Sequence, residues 1–210
     1  MAEAARPAPT EAPGSTDPAG YPAELARDVE ADGLRYHVRP IRPDDGARLV
    51  ELHARLSPHS LYLRFFRPHP VLSEDEVRWF THVDYVDRLA LVATIDDRFI
   101  AVGRFDRAPG ATEAEVAFVV DDEYQHHGVG TLLLDELARA ARERGVDTFV
   151  AETLAENRAM LDVFHHAGFA VTATSSFGAV TLRFPVAPTE EYRRALAGRE
   201  ARRLVPGAPA

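Results

Sequence analysis

The sequence predicts a single mixed α/β domain, on three observations. Two apolar runs, RLALVATID and RFIAVGRFDR, meet at an Asp-Asp turn and read as an antiparallel hairpin. A helical pattern, TLLLDELARAARERG, leads into the apolar strand DTFVAET and then into a second helical pattern, ENRAMLDVFHHAGF. Two further strands, around FAVTAT and AVTLRFPV, follow. This order gives a mixed sheet flanked by helices rather than a pure βαβ repeat.

The elements fall in order. Residues 1–32 are rich in Ala, Pro, Glu and Gly, show no apolar period, and read as a disordered tail with a short helix around Leu25. LRYHVRPIR, residues 34–42, is the first strand. Pro43 and Asp44 open a helix through Arg55, with Leu49, Leu52 and Leu56 on one face. Ser57 then Pro58, an N-cap followed by proline at the first helical position, starts a second helix through Phe66. Ser73 and Glu76 form a capping box before VRWF. After the hairpin, ATEAEVAFVV is a third strand of the antiparallel run. Leu133, Leu137, Ala140 and Ala141 share a face of the next helix, which Gly145 stops. The folded domain spans residues 33–187, and a charged helix with a tail occupies 188–210.

Composition excludes several functions. The 210 residues, 46% hydrophobic, suffice for one packed domain. No apolar run approaches the roughly 18 residues of a membrane span, and no secretory signal opens the chain. Without cysteine there is neither a disulfide nor a thiolate nucleophile, which fits the cytoplasm. A formal net charge of −9 argues against nucleic acid. All 24 basic residues are arginine, so the chain has no lysine side chain of its own to modify.

The segment that carries chemistry is Gln125-His126-His127-Gly128-Val129-Gly130-Thr131, between a strand and a helix. Glycines let the backbone turn with several N–H groups pointing one way, and the helix N-terminus adds partial positive charge. Together they cradle a phosphate or pyrophosphate. No Gly-Lys-Ser/Thr follows and GxGxxG is absent, so neither nucleotide-binding fingerprint applies. The pairs His126-His127 and His165-His166 do not converge on one ion, and no metal is expected.

QHHGVG matches the Q/R-x-x-G-x-G/A signature of the GCN5-related N-acetyltransferase (GNAT) superfamily, which the chain resembles from about residue 34 to 186. AEVAFVV is similar to the strand before that loop, ENRAMLDVFHHAGF to a later segment, and RPIRPDD to the usual opening. LSPHSLYLRFF and NRAML resemble the branch with bacterial protein lysine acetyltransferases. The resemblance implies a mostly antiparallel twisted sheet of six or seven strands, whose central parallel pair, AEVAFVV and DTFVAET, splays to admit the pantetheine arm of acetyl-coenzyme A. It implies that Phe118, Val119 and Val120 offer backbone groups to that arm, that Gln125 to Thr131 wrap the pyrophosphate, and that Asn157 contacts the cofactor. The resemblance implies that relatives often carry an appended regulatory domain, and from the length of this sequence no built-in nucleotide or amino-acid control is expected.

Acetyl transfer needs a neutral amine, and a free lysine amine has a pKa near 10.4, so a base must take a proton. Glu115 stands where the resembled branch uses a glutamate, and partial burial would raise its pKa for the task. Glu113 is its nearest rival, on the same face. Many members of the superfamily place a tyrosine acid seven residues after the asparagine, where this chain has Phe164; Tyr124 and His165 are the available substitutes. Three readings follow: a protein Nε-lysine acetyltransferase, an acetyltransferase for small amines, and a silent acetyl-CoA-binding module.

Overall fold

The structure is a computed structural model that describes residues 17–31 and 33–203. Eight strands form one sheet in the order β1-β2-β3-β4-β5-β6-β8-β7. They are β1 (Arg27–Ala31), β2 (Leu34–Pro40), β3 (Arg88–Ile95), β4 (Arg98–Asp106), β5 (Glu113–Val120), β6 (Thr148–Leu154), β7 (Thr172–Ser176) and β8 (Ala179–Pro185). The helices are α1 (Gly46–Arg55), α2 (Pro58–Phe65), α3 (Glu74–Thr81), α4 (Val129–Glu143), α5 (Arg158–Ala167) and α6 (Glu190–Arg203). Every neighbouring pair is antiparallel except β5 and β6.

Each face of the sheet carries its own apolar layer. On one, Leu133, Leu137, Ala140 and Ala141 of α4 pack with Phe149, Phe164 and Phe184. On the other, Leu49, Leu52, Leu56 and Leu61 pack with Val92 and Phe99. The caps read from sequence form: the Ser57 side chain accepts from the Ser60 N–H, and Ser73 and Glu76 make a reciprocal capping box. The chain from Pro43 begins as a short 3-10 turn to Asp45, and α1 proper starts at Gly46. Asp45 is the reason. Its buried carboxylate accepts from both Nη atoms of Arg39 and from the Arg42 N–H, at 2.7 Å each.

The expected tail is corrected in its last part. Residues 27–31 are not disordered but form edge strand β1, in register with β2 from Arg27↔Val38 to Ala31↔Leu34. RDVEA is short and polar, and Val29 is its one buried side chain among the described residues, so alternation gave no signal. An ion pair from Arg27 to Glu136 of α4 and the packing of α6 near β1 hold this edge. The short helix near Leu25 is present as a 3-10 turn, Ala23–Leu25. Residues 1–16 of the expected tail, and 204–210, lie outside the described residues. With β1 the strand count is eight rather than six or seven.

Candidate active site

The site begins where two parallel strands part. β5 and β6 pair only at Glu113↔Thr148, Ala114↔Phe149 and Glu115↔Val150. Beyond them β5 stays paired with β4 up to Val120, and β6 stays paired with β8 up to Leu154. The facing edges of 116–120 and 151–154 are therefore left without each other. A cleft of about 600 Å³ opens between them, lined also by the Gln125–Thr131 loop, the start of α5 and one side of α2.

The loop at the cleft mouth is built from its own sequence. His126 and Gly128 take left-handed backbone conformations, with φ of 66° and 72°. Gly128 is the N-cap of α4. The first amides of that helix have no partners within it, and they present their partial positive charge at the cleft. A side chain at Gly130 would project between the cleft-lining Val163 and Val120, at 3.5 and 3.9 Å, so the glycine keeps the cradle open. Val129 is buried in the core, and among the loop residues named in the sequence His127 alone does not line the cleft.

The loop is also stapled to α2. Asp122 accepts from the Ser57 N–H and Oγ, both at 2.9 Å, and from Ser60 Oγ at 2.6 Å. Partial burial acts to raise its pKa, but these hydrogen bonds outweigh it and hold the carboxyl below its usual range. Gln125 donates from Nε2 to the Val120 carbonyl at 3.2 Å and to Ser60 Oγ at 3.3 Å. Its side chain thus holds the loop shape. The buried carboxylate of Asp121 is fixed by Arg55 at 2.9 Å and Arg98 at 3.3 Å. Asp122 and Ser60 were not singled out by sequence; the Ser57-Pro58 cap was the visible trace of this contact.

The remaining expected residues divide. Phe118 is buried, its ring facing Phe164 at 6.2 Å and resting where Gly103 leaves room; a Cβ there would lie 2.8 Å from it. Phe118 can therefore give only its backbone to the cleft, while Val119 and Val120 line it as partly buried residues. Asn157 lines the cleft and caps α5, accepting from the Met160 N–H at 3.1 Å. Phe164 is buried at the cleft wall; Tyr124 lines the cleft, whereas His165 is exposed on α5 and does not.

Glu115 is exposed rather than partly buried, and it is the last residue of β5 that pairs with β6, opposite Val150. It holds the last β5–β6 pair at the vertex of the cleft. Its rival Glu113 is ion-paired to Arg183 of β8. Neither Glu113 nor Glu115 lines the cleft itself; Glu152 of β6 does, and it was missed. Its signal was available: in TFVAETL it alternates with the buried Ala151 and Thr153.

A sheet that splays at its one parallel pair, with a glycine-bearing loop and a helix N-terminus at the mouth of the gap, defines the acetyltransferase class of the GNAT fold. The Acetyltransferase (GNAT) family profile matches residues 56–169, and the chain belongs to that family. It is 32% identical over 169 residues to Acetyltransferase Pat of Mycolicibacterium smegmatis, across 75% of this chain. The match spans 48% of that relative, so this chain corresponds to about half its length. The crystal structure of the GNAT domain of S. lividans PAT superposes with a TM-score of 0.74 at 44% identity, covering 79% of this chain and 99% of that one. A cAMP-binding acyltransferase from Mycobacterium smegmatis gives a TM-score of 0.57 at 28% identity, over 86% of this chain and 55% of that one.

Proposed function

We propose that this chain transfers the acetyl group of acetyl-CoA to the side-chain amine of a lysine on another protein, with Glu115 as general base. The observation that carries the reading is the gap that opens beyond Glu115 and Val150 and ends at the α4 N-terminus. The unpaired strand edge suits the amides of a pantetheine arm, and the loop amides suit a pyrophosphate. Acetyl-CoA supplies a thioester whose thiol, with a pKa of about 8.5, leaves readily without a strong acid. That fits a site with Phe164 where a tyrosine acid is usual. The residues of the chain do the rest: β5 orients the donor, and Glu115 takes the amine proton directly or through water. The lysine acceptor rests on the likeness to the Pat relatives, and an acidic protein suits a cationic acceptor.

Acetyl-CoA is expected to bind the folded chain and raise its melting temperature, by about 2.7 kcal/mol of linkage at one hundred times Kd. Gly130→Leu should weaken that binding by filling the cradle while the fold persists. Calorimetry that finds no acetyl-CoA binding by wild-type protein ends the cofactor assignment. For the acceptor, mass spectrometry of candidate proteins after incubation should find acetylated lysine. Efficient transfer to free small amines with none to proteins would establish the small-amine reading instead.

A further inference from the structure

A second, smaller cavity lies beneath α1–α3 against β4 and β5. It measures about 50 Å³, room for roughly three to five water-sized groups. Its walls are mostly apolar, with Leu52, Phe65 and Phe80 among them. Arg64, Ala117 and Val119 line both this cavity and the cleft, so the two spaces share a wall.

Two guanidinium groups in this apolar lining have unused donors. Arg104 faces Ala117 across the β4–β5 ladder and is 7% exposed. Its Nε and Nη2 each donate to Asp106 at 2.7 Å, and its plane lies against Phe80 at 4.8 Å. Its Nη1 is buried with no hydrogen-bond partner. Arg64, on α2, is partly buried and makes no hydrogen bond or ion pair among the described residues; its nearest ring is Phe65 at 5.2 Å. Burial, with Arg104 close by, pushes its pKa down to about 10, against the weaker pull of Glu115 and Asp106. At neutral pH it still carries its charge. The buried, unused Nη1 of Arg104 is costly unless something fills it, while the unpaired donors of Arg64 lie at the partly exposed wall that the two spaces share.

We propose that Arg64 and the free Nη1 of Arg104 form a carboxylate subsite for the acyl end of the donor, so that the enzyme takes a short dicarboxylic acyl-CoA such as succinyl-CoA. This rests on the acetyl-CoA reading of the cleft. A donor whose pyrophosphate sits at Gln125–Thr131 runs back along β5 from Val120 towards Ala117, about 10 Å at the rise of a strand. Its thioester then lies beside Ala117, on the wall shared with the cavity. The acyl chain enters there, and its terminal carboxylate meets Arg64 bidentately with Arg104 behind. In transfer, the acceptor nitrogen bonds to the thioester carbonyl carbon and the C–S bond breaks. The thiolate leaves and is protonated, and the surplus proton of the amine passes to the base. The product is an amide that ends in a carboxylate.

Calorimetry on the full chain, without acceptor, compares acetyl-, butyryl- and succinyl-CoA. Butyryl has the four-carbon length of succinyl without its charge. Wild-type protein is expected to bind succinyl-CoA about tenfold tighter than butyryl-CoA. Arg64→Gln should erase most of that preference and Arg64→Lys should keep part of it; Arg64 has no bond to lose, and a melting curve checks folding. Equal or tighter binding of butyryl-CoA by wild type overturns the proposal. So does an equal loss for all three donors in Arg64→Gln, which would mean that Arg64 supports the cleft wall common to every donor rather than a terminal carboxylate. If the preference is absent and Arg64→Gln instead raises KM for a carboxylate-bearing amino acid acceptor, the subsite belongs to the acceptor and the donor assignment falls. Binding of acetyl-CoA but not succinyl-CoA defeats this inference alone; binding of no thioester defeats the acetyl-CoA reading as well.

Discussion

Glu115→Gln is expected to fold, to bind acetyl-CoA as the wild type does, and to lose turnover by roughly 10²–10⁴-fold, the usual share of a general base. The geometry makes the prediction sharp. Glu115 stands at the vertex of the splay, and Glu113 is held by Arg183. The comparison that decides is Glu115→Gln beside Glu113→Gln and Glu152→Gln at saturating acetyl-CoA. Raising the pH should partly restore the Glu115 variant, because more of the acceptor is then neutral. Near-wild-type turnover in Glu115→Gln with loss in Glu152→Gln would move the base across the cleft to β6. Loss in none of the three would mean that the acceptor sheds its proton to water and the site acts by positioning.

The second large effect is on stability. Asp45→Ala is expected to cost about 3–5 kcal/mol, because it strands a buried guanidinium. Arg39 and Asp45 have side chains only 8% and 1% exposed, and the pair is bidentate. Burial alone would lower the Arg39 pKa, and the Asp45 partnership more than reverses this. Urea unfolding should show the midpoint falling, with a melting temperature lower by roughly 6–20 °C for a chain of this size. Replacing both partners together with apolar residues should cost less than Asp45→Ala alone. A loss below about 1 kcal/mol in the single variant would mean that Arg39 reaches water or another acceptor once Asp45 is gone.

Much of the fold was legible because its signals were local. Ser57-Pro58, the Ser73–Glu76 box and the Leu133–Leu137 face each declare an element within a few residues, and each forms. The glycine-bearing loop at the cleft mouth was legible for the same reason, since glycine spacing and a helix start lie in one segment. What escaped depends on partners distant in sequence. β1 is a strand only because β2 accepts it. The opening of the sheet just beyond Glu115 is set by where β5 and β6 stop pairing, which no residue of β5 records alone. Glu152 enters the site from a strand 37 positions after Glu115. Asp122 and Gln125 act through Ser57 and Ser60, some 65 positions away.

That last contact makes two parts of the molecule mechanically one. Asp122 grips the start of α2 by three hydrogen bonds, and Gln125 adds a fourth to Ser60. α2 therefore cannot tilt without dragging the loop at the mouth of the cleft. If the loop holds the donor as proposed, whatever docks against α2 alters the grip on the donor, and by reciprocity the donor alters that docking by the same factor. An acceptor that approaches along the His59–Arg64 side would meet a firmer surface once the donor is seated, so the two substrates would bind cooperatively, the donor preparing the ground for the acceptor.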